Sequence, residues 1–164
     1  MRNEKTSGLA SSSKATSWLK PIETCGLILD KDGFEKLEHL SKFSEEIGVK
    51  PDAISVLLYT PKKTVIPGFQ GVQLTSRGFN WLGKIKAKDV NDFLSRRFDI
   101  VICYQNGPDK VIDKLISSSK AEFKIGRLEG STRVYDLAIG TSFAEIEVFT
   151  EEVKKYLRIL NRLY

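Results

Sequence analysis

Short apolar runs alternate with amphipathic stretches along the chain, and this alternation predicts the secondary structure. The apolar runs are too short for helices and rich in β-branched residues, which is typical of strands buried in a parallel sheet. Between them, apolar residues recur at spacings of three and four, which marks one buried face of a helix. The predicted strands are residues 25–29, 53–60, 72–74, 100–103, 123–126 and 134–139.

Four amphipathic stretches are predicted to be helices. They are residues 34–47, which end at Gly48, and residues 89–96, 109–119 and 149–163. Thr150 is the predicted cap of the last helix, because acidic residues follow it in the first turn and basic residues fill the last turn. Strands that alternate with helices predict a three-layer Rossmann-like α/β domain with a mainly parallel sheet of about five or six strands.

The stretch Phe98-Asp-Ile-Val-Ile-Cys-Tyr-Gln-Asn-Gly-Pro-Asp109 is the clearest strand, turn and helix start. Pro108, just before residues 109–119, is a candidate for the first residue of that helix. Ligands of open α/β sheets bind just past the strand ends, where a helix start can also offer backbone N–H groups to an anion. The sequence therefore predicts a binding crevice lined by Asp30, Thr60, Gln105, Asn106, Gly107 and Arg127.

Charge is distributed unevenly along the 164 residues, whose net charge is +5. Residues 1–20 carry +3 and residues 150–164 carry +2, so the segment between them is neutral. We expect residues 1–20 to form a basic, Ser-rich flexible tail and residues 21–164 to form a single domain that ends in an amphipathic helix. The predicted contacts with an anionic partner, RNA or a ribonucleoprotein, are Lys14, Lys20, Lys154, Arg158 and Arg162.

Cys25 and Cys103 both lie inside apolar runs, and the chain has one histidine. Two thiols without CxxC spacing argue against a zinc site or a disulfide, so we expect two core residues in a reducing, cytoplasmic compartment. No apolar run is long enough to cross a membrane, and the N-terminus has no secretory signal. No dinucleotide or P-loop motif is present either, so the sequence predicts no cofactor and no metal.

Leu27-Ile-Leu-Asp-Lys-Asp-Gly33 resembles the first motif of haloacid-dehalogenase-type phosphatases, an apolar strand followed by Asp-x-Asp-Gly. The resemblance implies that Asp30 is a nucleophile, that Asp32 is an acid/base and that carboxylates hold magnesium. It also implies that Thr60 binds phosphate. The later acidic pair of that family has no counterpart here. The alternative is structural, with Asp32 as a helix cap and Asp30 as part of the turn.

Four other side chains are candidates for either a structural or a functional role. His39 has no triad partner in the sequence and is predicted to lie on the surface. Phe79 and Trp81, in a Gly-rich loop, are interpreted as core anchors of that loop, with a stacking platform for bases as the alternative. Arg127, after a predicted strand, is either a phosphate contact or a solvated side chain.

As a whole, the chain resembles an uncharacterised family of small Bacteroidota proteins whose domain has no known function. The segments that carry the likeness are Phe98-Asp-Ile-Val-Ile-Cys-Tyr104, Ser119-Lys-Ala-Glu-Phe-Lys-Ile-Gly126 and the last predicted helix. Ala121-Glu-Phe-Lys-Ile-Gly126 is also similar to a segment in the N-terminal half of heptosyltransferase-type glycosyltransferases. These likenesses imply a cytoplasmic bacterial protein, or a degenerate glycosyltransferase half.

Together, these observations favour a binding or interaction module over an enzyme. The leading hypothesis is association with RNA or a ribonucleoprotein through the basic termini. The magnesium phosphatase and the degenerate glycosyltransferase half-domain are the alternatives.

Overall fold

A computed structural model describes residues 20–63, 65–128 and 134–160 of the chain. Its centre is a six-stranded, all-parallel sheet in the order β3-β2-β1-β4-β5-β6. The strands are β1 (Cys25–Leu29), β2 (Ile54–Tyr59), β3 (Val72–Leu74), β4 (Ile100–Tyr104), β5 (Lys124–Arg127) and β6 (Leu137–Ile139). The prediction of a Rossmann-like α/β fold is confirmed, and all six predicted strands are present.

In the part of the chain that the structure describes, four α-helices cover the two faces of the sheet. They are α1 (Leu37–Glu46), α2 (Lys88–Ser95), α3 (Lys110–Ser118) and α4 (Ile146–Ile159). Helices α1 and α4 pack on one face, where Leu27 and Leu29 point, and helices α2 and α3 pack on the other, where Ile28 points. Because successive side chains of a strand alternate between faces, a strand covered on both sides must be apolar throughout. Every residue of β1 and β4 is buried for this reason.

Both cysteines are buried and unpaired, as predicted. Burial raises the pKa of each thiol to about 12, so neither is a reactive thiolate near neutral pH. In the described part of the chain, no helix has both the length and the apolar character needed to span a membrane.

The last helix begins earlier than predicted, and Thr150 is not its cap. Helix α4 starts at Ile146, and Thr150 lies one turn inside it, where its hydroxyl contacts the carbonyl oxygens of Ile146 and Glu147, each at 3.2 Å. A threonine inside a helix can donate its hydroxyl to a carbonyl oxygen three or four residues earlier. Burial of Ile146 and Phe149 against the sheet accounts for the earlier start.

Candidate functional site

The carboxyl ends of β1 and β4 lie next to each other, at the point where the strand order reverses. The Asp30 carboxylate accepts hydrogen bonds from the backbone N–H groups of Gly33, at 2.6 Å, and Asn106, at 2.8 Å. The Asp32 carboxylate accepts one from the Asn106 side chain at 3.0 Å. The structure thus brings three of the predicted residues together, and they bridge the mouth of the predicted crevice.

These bonds agree with one part of the structural interpretation of the aspartates. Asp30 belongs to the turn, as the structural alternative predicted. Asp32 precedes a short 3-10 turn (Gly33–Lys36) without capping it, so the cap prediction is wrong. Burial raises the pKa of the Asp30 carboxyl; its two backbone hydrogen bonds oppose this rise, and the charges of Asp32 and Asp109 add to it.

Gln105 and Arg127 form a second internal network beside the first. The Gln105 side chain donates to the Gly107 carbonyl at 2.8 Å. The Arg127 guanidinium, in a side chain only 4% exposed, donates to the carbonyls of Gln105, at 2.8 Å, and Thr141, at 2.7 Å. It also lies 5.7 Å from the ring centre of Tyr104. Arg127 is therefore buried, and the prediction of a solvated side chain is wrong. Its charged guanidinium stabilises the loops that follow β4 and β6.

The remaining crevice residues also bond within the protein. Thr60 is buried and accepts a hydrogen bond from the Gln73 side chain at 2.9 Å. Asp109, not Pro108, caps α3, and its carboxylate accepts from the N–H groups of Val111 and Ile112. Pro108 thus precedes the helix, and the prediction that it is the first helical residue is wrong. A helix start whose amides bond to its own cap offers less to an external anion.

Within the described ranges, no three His, Cys, Asp or Glu side chains are grouped so that they could hold a metal ion. The polar side chains at this edge of the sheet form most of their hydrogen bonds with backbone groups of neighbouring loops. Their clearest chemical effect is to join the loops that follow β1, β4 and β6.

A different part of the surface combines charge with an open shape. Residues 84–85 and the facing sides of α2 and α3 enclose a groove of about 430 Å³. We call it the lysine groove, because three exposed lysines and no carboxylate line it. Its lining residues are Lys84, Ile85, Asn91, Leu94, Ser95, Lys114, Ser118 and Lys120.

The three groove lysines come from three different segments of the chain. Lys84 lies in the loop before α2, Lys114 in α3 and Lys120 after α3. None forms an ion pair with any residue that the structure describes. Lys114 Nζ lies 3.4 Å from the Gly83 carbonyl oxygen, and the Lys120 N–H donates to the Leu94 carbonyl at 2.9 Å. This second bond joins the ends of α2 and α3 at the groove.

A tight loop of residues 79–86, here called the Trp81 loop, borders the lysine groove. Phe79 pairs with Ile85 in a single antiparallel bridge and packs against the core, so the prediction of a core anchor is right for Phe79. It is wrong for Trp81, whose side chain is 91% exposed. This exposure is the one observation that favours the alternative of a stacking platform.

The predicted basic row on the last helix is only partly available to a partner. Lys154 lies 3.3 Å from Glu46, in an ion pair that joins α4 to α1. Arg158 is exposed on α4, and Lys20 is exposed at the start of the described chain. Lys14 and Arg162 lie outside the described residues.

His39 is half-buried and 3.2 Å from Thr150 Oγ1, so the prediction of a surface histidine is wrong.

Sequence reasoning missed the lysine groove, since Lys84, Lys114 and Lys120 follow no common periodicity. The available signals were indirect. The pattern Asn80-Trp-Leu-Gly83 is typical of a tight turn, which tends to hold its central side chains in solvent. Lys110 and Lys114 are four residues apart on a predicted helix, which places both on its polar side.

Comparison with known proteins gives the family of the chain. A search of curated proteins and a search of solved structures each found no match. A family-wide sequence model matches residues 2–160, which is almost the whole chain. The chain therefore belongs to DUF6913, a family of unknown function.

Proposed function

We propose that the protein is a nucleic-acid-binding module that holds an RNA strand in the lysine groove. The observation that carries the proposal is that three lysines converge on one groove whose lining has no carboxylate. None of the three pairs with an acidic residue that the structure describes. A surface lysine is commonly neutralised by a nearby acid, as Lys88 is by Asp92 at 2.8 Å. A groove with only cationic charge is complementary to a polyanion.

The chemistry of the lining suits a phosphodiester backbone. Lysine ammonium groups bind phosphate oxygens and release the counterions condensed on the strand. Asn91 and Ser118 add neutral hydrogen-bonding groups at the same surface, which are suited to sugar or phosphate oxygens. This mode of binding fixes the position of a strand without reading its sequence.

The basic termini add to the same interaction only at long range, because α4 packs on the face of the sheet opposite to the groove. Lys20 and Arg158, together with Lys14 and Arg162 from the predicted set, would add positive charge at the two ends of the chain. We assign them a steering role, since charges on long side chains mainly raise the rate of association and are screened by salt. Lys154 contributes less, because Glu46 neutralises it.

The test is an anisotropy titration of a labelled single-stranded oligoribonucleotide of about 12 nucleotides, a length within the usual range of such sites. The groove variant carries Lys84→Gln, Lys114→Gln and Lys120→Gln. The control carries Lys31→Gln, Lys50→Gln and Lys62→Gln, which remove equal charge from exposed lysines outside the groove. With about three phosphate contacts, we expect the groove variant to bind about 100-fold more weakly at about 0.1 M salt.

Salt dependence provides a second readout of the same titration. Three neutralised phosphates of a single strand give a slope of about −2 for log K against log salt concentration, and the groove variant should flatten this slope. The proposal is overturned if the wild-type protein does not bind the strand, or if the groove and control variants weaken binding equally.

A cytoplasmic location and an origin in Bacteroidota stay predictions of the sequence. The phosphatase and glycosyltransferase hypotheses are not advanced as a second function. Both carboxylate oxygens of Asp30, the predicted nucleophile, already accept backbone hydrogen bonds.

A further inference from the structure

The Trp81 loop holds a large aromatic side chain in solvent. Trp81 is 91% exposed, and its neighbour Leu82 is 60% exposed. The carboxamide oxygen of Asn80 accepts hydrogen bonds from the N–H groups of Leu82, at 2.9 Å, and Lys84, at 3.0 Å. Gly83 adopts a φ of +80°, a conformation that glycine accepts without steric cost. The loop is thus a defined turn that contributes no burial to Trp81.

Further hydrogen bonds fix this turn to the rim of the lysine groove. The Asn91 side chain of α2 donates to the Ile85 carbonyl at 3.2 Å, and Lys114 of α3 approaches the Gly83 carbonyl. The Lys86 N–H donates to the Gly78 carbonyl at 2.8 Å. Because the loop is held at both sides, the backbone that carries the indole is fixed near the groove rim formed by Lys84 and Ile85. A ligand that contacts the indole therefore incurs little entropy cost from ordering the backbone.

We infer that Trp81 stacks on an unpaired base of the strand in the lysine groove, which makes the site selective for single-stranded over duplex RNA. The inference rests on the proposed function, because the lysines must first hold the strand. An indole stacks on any base, since every base has a π-face, and the interaction is independent of sequence. In a duplex the bases are paired and stacked on each other, so their faces are not available to Trp81.

An anionic membrane is the main competing partner for lysines beside exposed apolar residues. A membrane surface would bury Trp81 and Leu82 together, and it would need lysines on a convex surface around them. Here the cations line a concave groove together with Asn91 and Ser118, which favours a narrow polyanion over a flat surface. The two partners also differ in their dependence on Leu82, which stacking does not require.

The chain has two tryptophans, Trp18 and Trp81. The experiment uses a Trp18→Phe background, so that all tryptophan fluorescence comes from Trp81. Trp18 lies outside the described residues. The probes are a single-stranded oligoribonucleotide of about 12 nucleotides, the same strand in a duplex, and vesicles of phosphatidylglycerol and phosphatidylcholine. We expect the single strand to quench Trp81 fluorescence. Trp81→Ala should weaken single-strand binding about tenfold and duplex binding by less than about twofold.

Two matched variants separate stacking from a general loss of apolar surface. Trp81→Phe keeps an aromatic face and should recover most of the single-strand affinity. Leu82→Ala should bind both nucleic acids like the parent protein.

The outcomes separate this inference from the proposed function. If binding depends on the groove lysines but Trp81→Ala changes single-strand and duplex affinity equally, or changes neither, base stacking is overturned while the groove stands. If neither nucleic acid binds, or only vesicles bind and shift the Trp81 emission to the blue, both the stacking and the proposed function are overturned.

Discussion

The carboxyl edge of the sheet and the lysine groove are two polar regions of the described structure, and they use their polar groups in opposite ways. At the carboxyl edge, Asp30, Asp32 and Arg127 bond to other groups of the protein. In the groove, three lysines face solvent without ion pairs to described residues. The first arrangement connects loops, and the second leaves charge available to a partner.

This difference teaches that fold position alone does not identify the binding surface. Parallel sheets generally bind ligands at their carboxyl edge. Here, internal hydrogen bonds connect the loops at that edge. The groove lies away from that edge, between the loop before α2 and two helices on one face of the sheet. The following predictions test the assignment of a structural role to the first region and a binding role to the second.

The largest expected effect comes from Gly33→Ala at the carboxyl edge. A Cβ at position 33 would overlap the Tyr104 carbonyl oxygen, which is backbone and cannot move aside easily. We expect a loss of about 3 kcal/mol in the free energy of unfolding, at the high end for overpacking, measured by urea denaturation. Gly68→Ala is the control, since its Cβ would meet no atom and its φ of +76° alone costs about 1 kcal/mol. Equal destabilisation by both variants would contradict the close packing of this turn.

The second prediction uses pH to test whether Asp30 is a buried structural acid. Burial raises the pKa of Asp30 above its ordinary value of 3.8. The folded state therefore keeps a proton that the unfolded chain has already lost, so the stability due to Asp30 falls as pH rises from about 3.8 through the higher folded pKa.

Asp30→Asn removes this titration. Urea denaturation across the acid range should show a weaker decline of stability with pH in the variant than in the wild type. The pKa of Asp113 is also raised by burial, but its contribution is present in both proteins and cancels in the difference. Parallel pH profiles would mean that Asp30 titrates as an ordinary exposed acid.

A third, smaller effect is expected when the Trp81 loop is loosened. Asn80→Ala removes the acceptor for two backbone N–H groups, so the backbone that carries the indole loses its fixed conformation. Because these groups are exposed and water can replace the lost bonds, the protein should lose at most about 1 kcal/mol of stability. Single-strand RNA affinity should fall a few-fold, and duplex affinity should stay constant. A fall in both affinities would show that the loop positions Lys84 instead of Trp81.

The smallest effect is expected on the last helix. Lys154→Gln breaks the ion pair with Glu46, and a pair at the surface contributes about 0.5 kcal/mol. RNA affinity should barely change, whereas Arg158→Gln, at an exposed position, should lower it slightly at low salt. If Lys154→Gln instead weakened RNA binding as much as a groove lysine does, the basic row of α4 would be part of the main interface.

The sequence predicted the fold well because the decisive signals are local. The runs in β1 and β4 are buried on both faces, and continuous apolar composition is the direct consequence of that burial. The start of α4 was less predictable. Thr150 followed by two glutamates has the composition of a helix start, but the packing of Ile146 moves the true start one turn earlier.

The lysine groove was not predictable, because it depends on how distant segments meet. A count of charges gives a neutral segment between the basic termini, yet a count does not show where those charges lie in space. Lys84, Lys114 and Lys120 become neighbours only once the loop and α3 are packed on the sheet. The exposure of Trp81 depends in the same way on the conformation of its loop.

Amide chemical-shift mapping with a single-stranded oligoribonucleotide tests the central claim most directly, because it compares both regions in one titration. We expect the shifts to concentrate at residues 80–86, 91–95 and 114–120, which surround the lysine groove. Residues 30–33 and 105–109, at the carboxyl edge, should stay unchanged. Shifts concentrated at the carboxyl edge, with the groove unaffected, would contradict the assignment of these two regions.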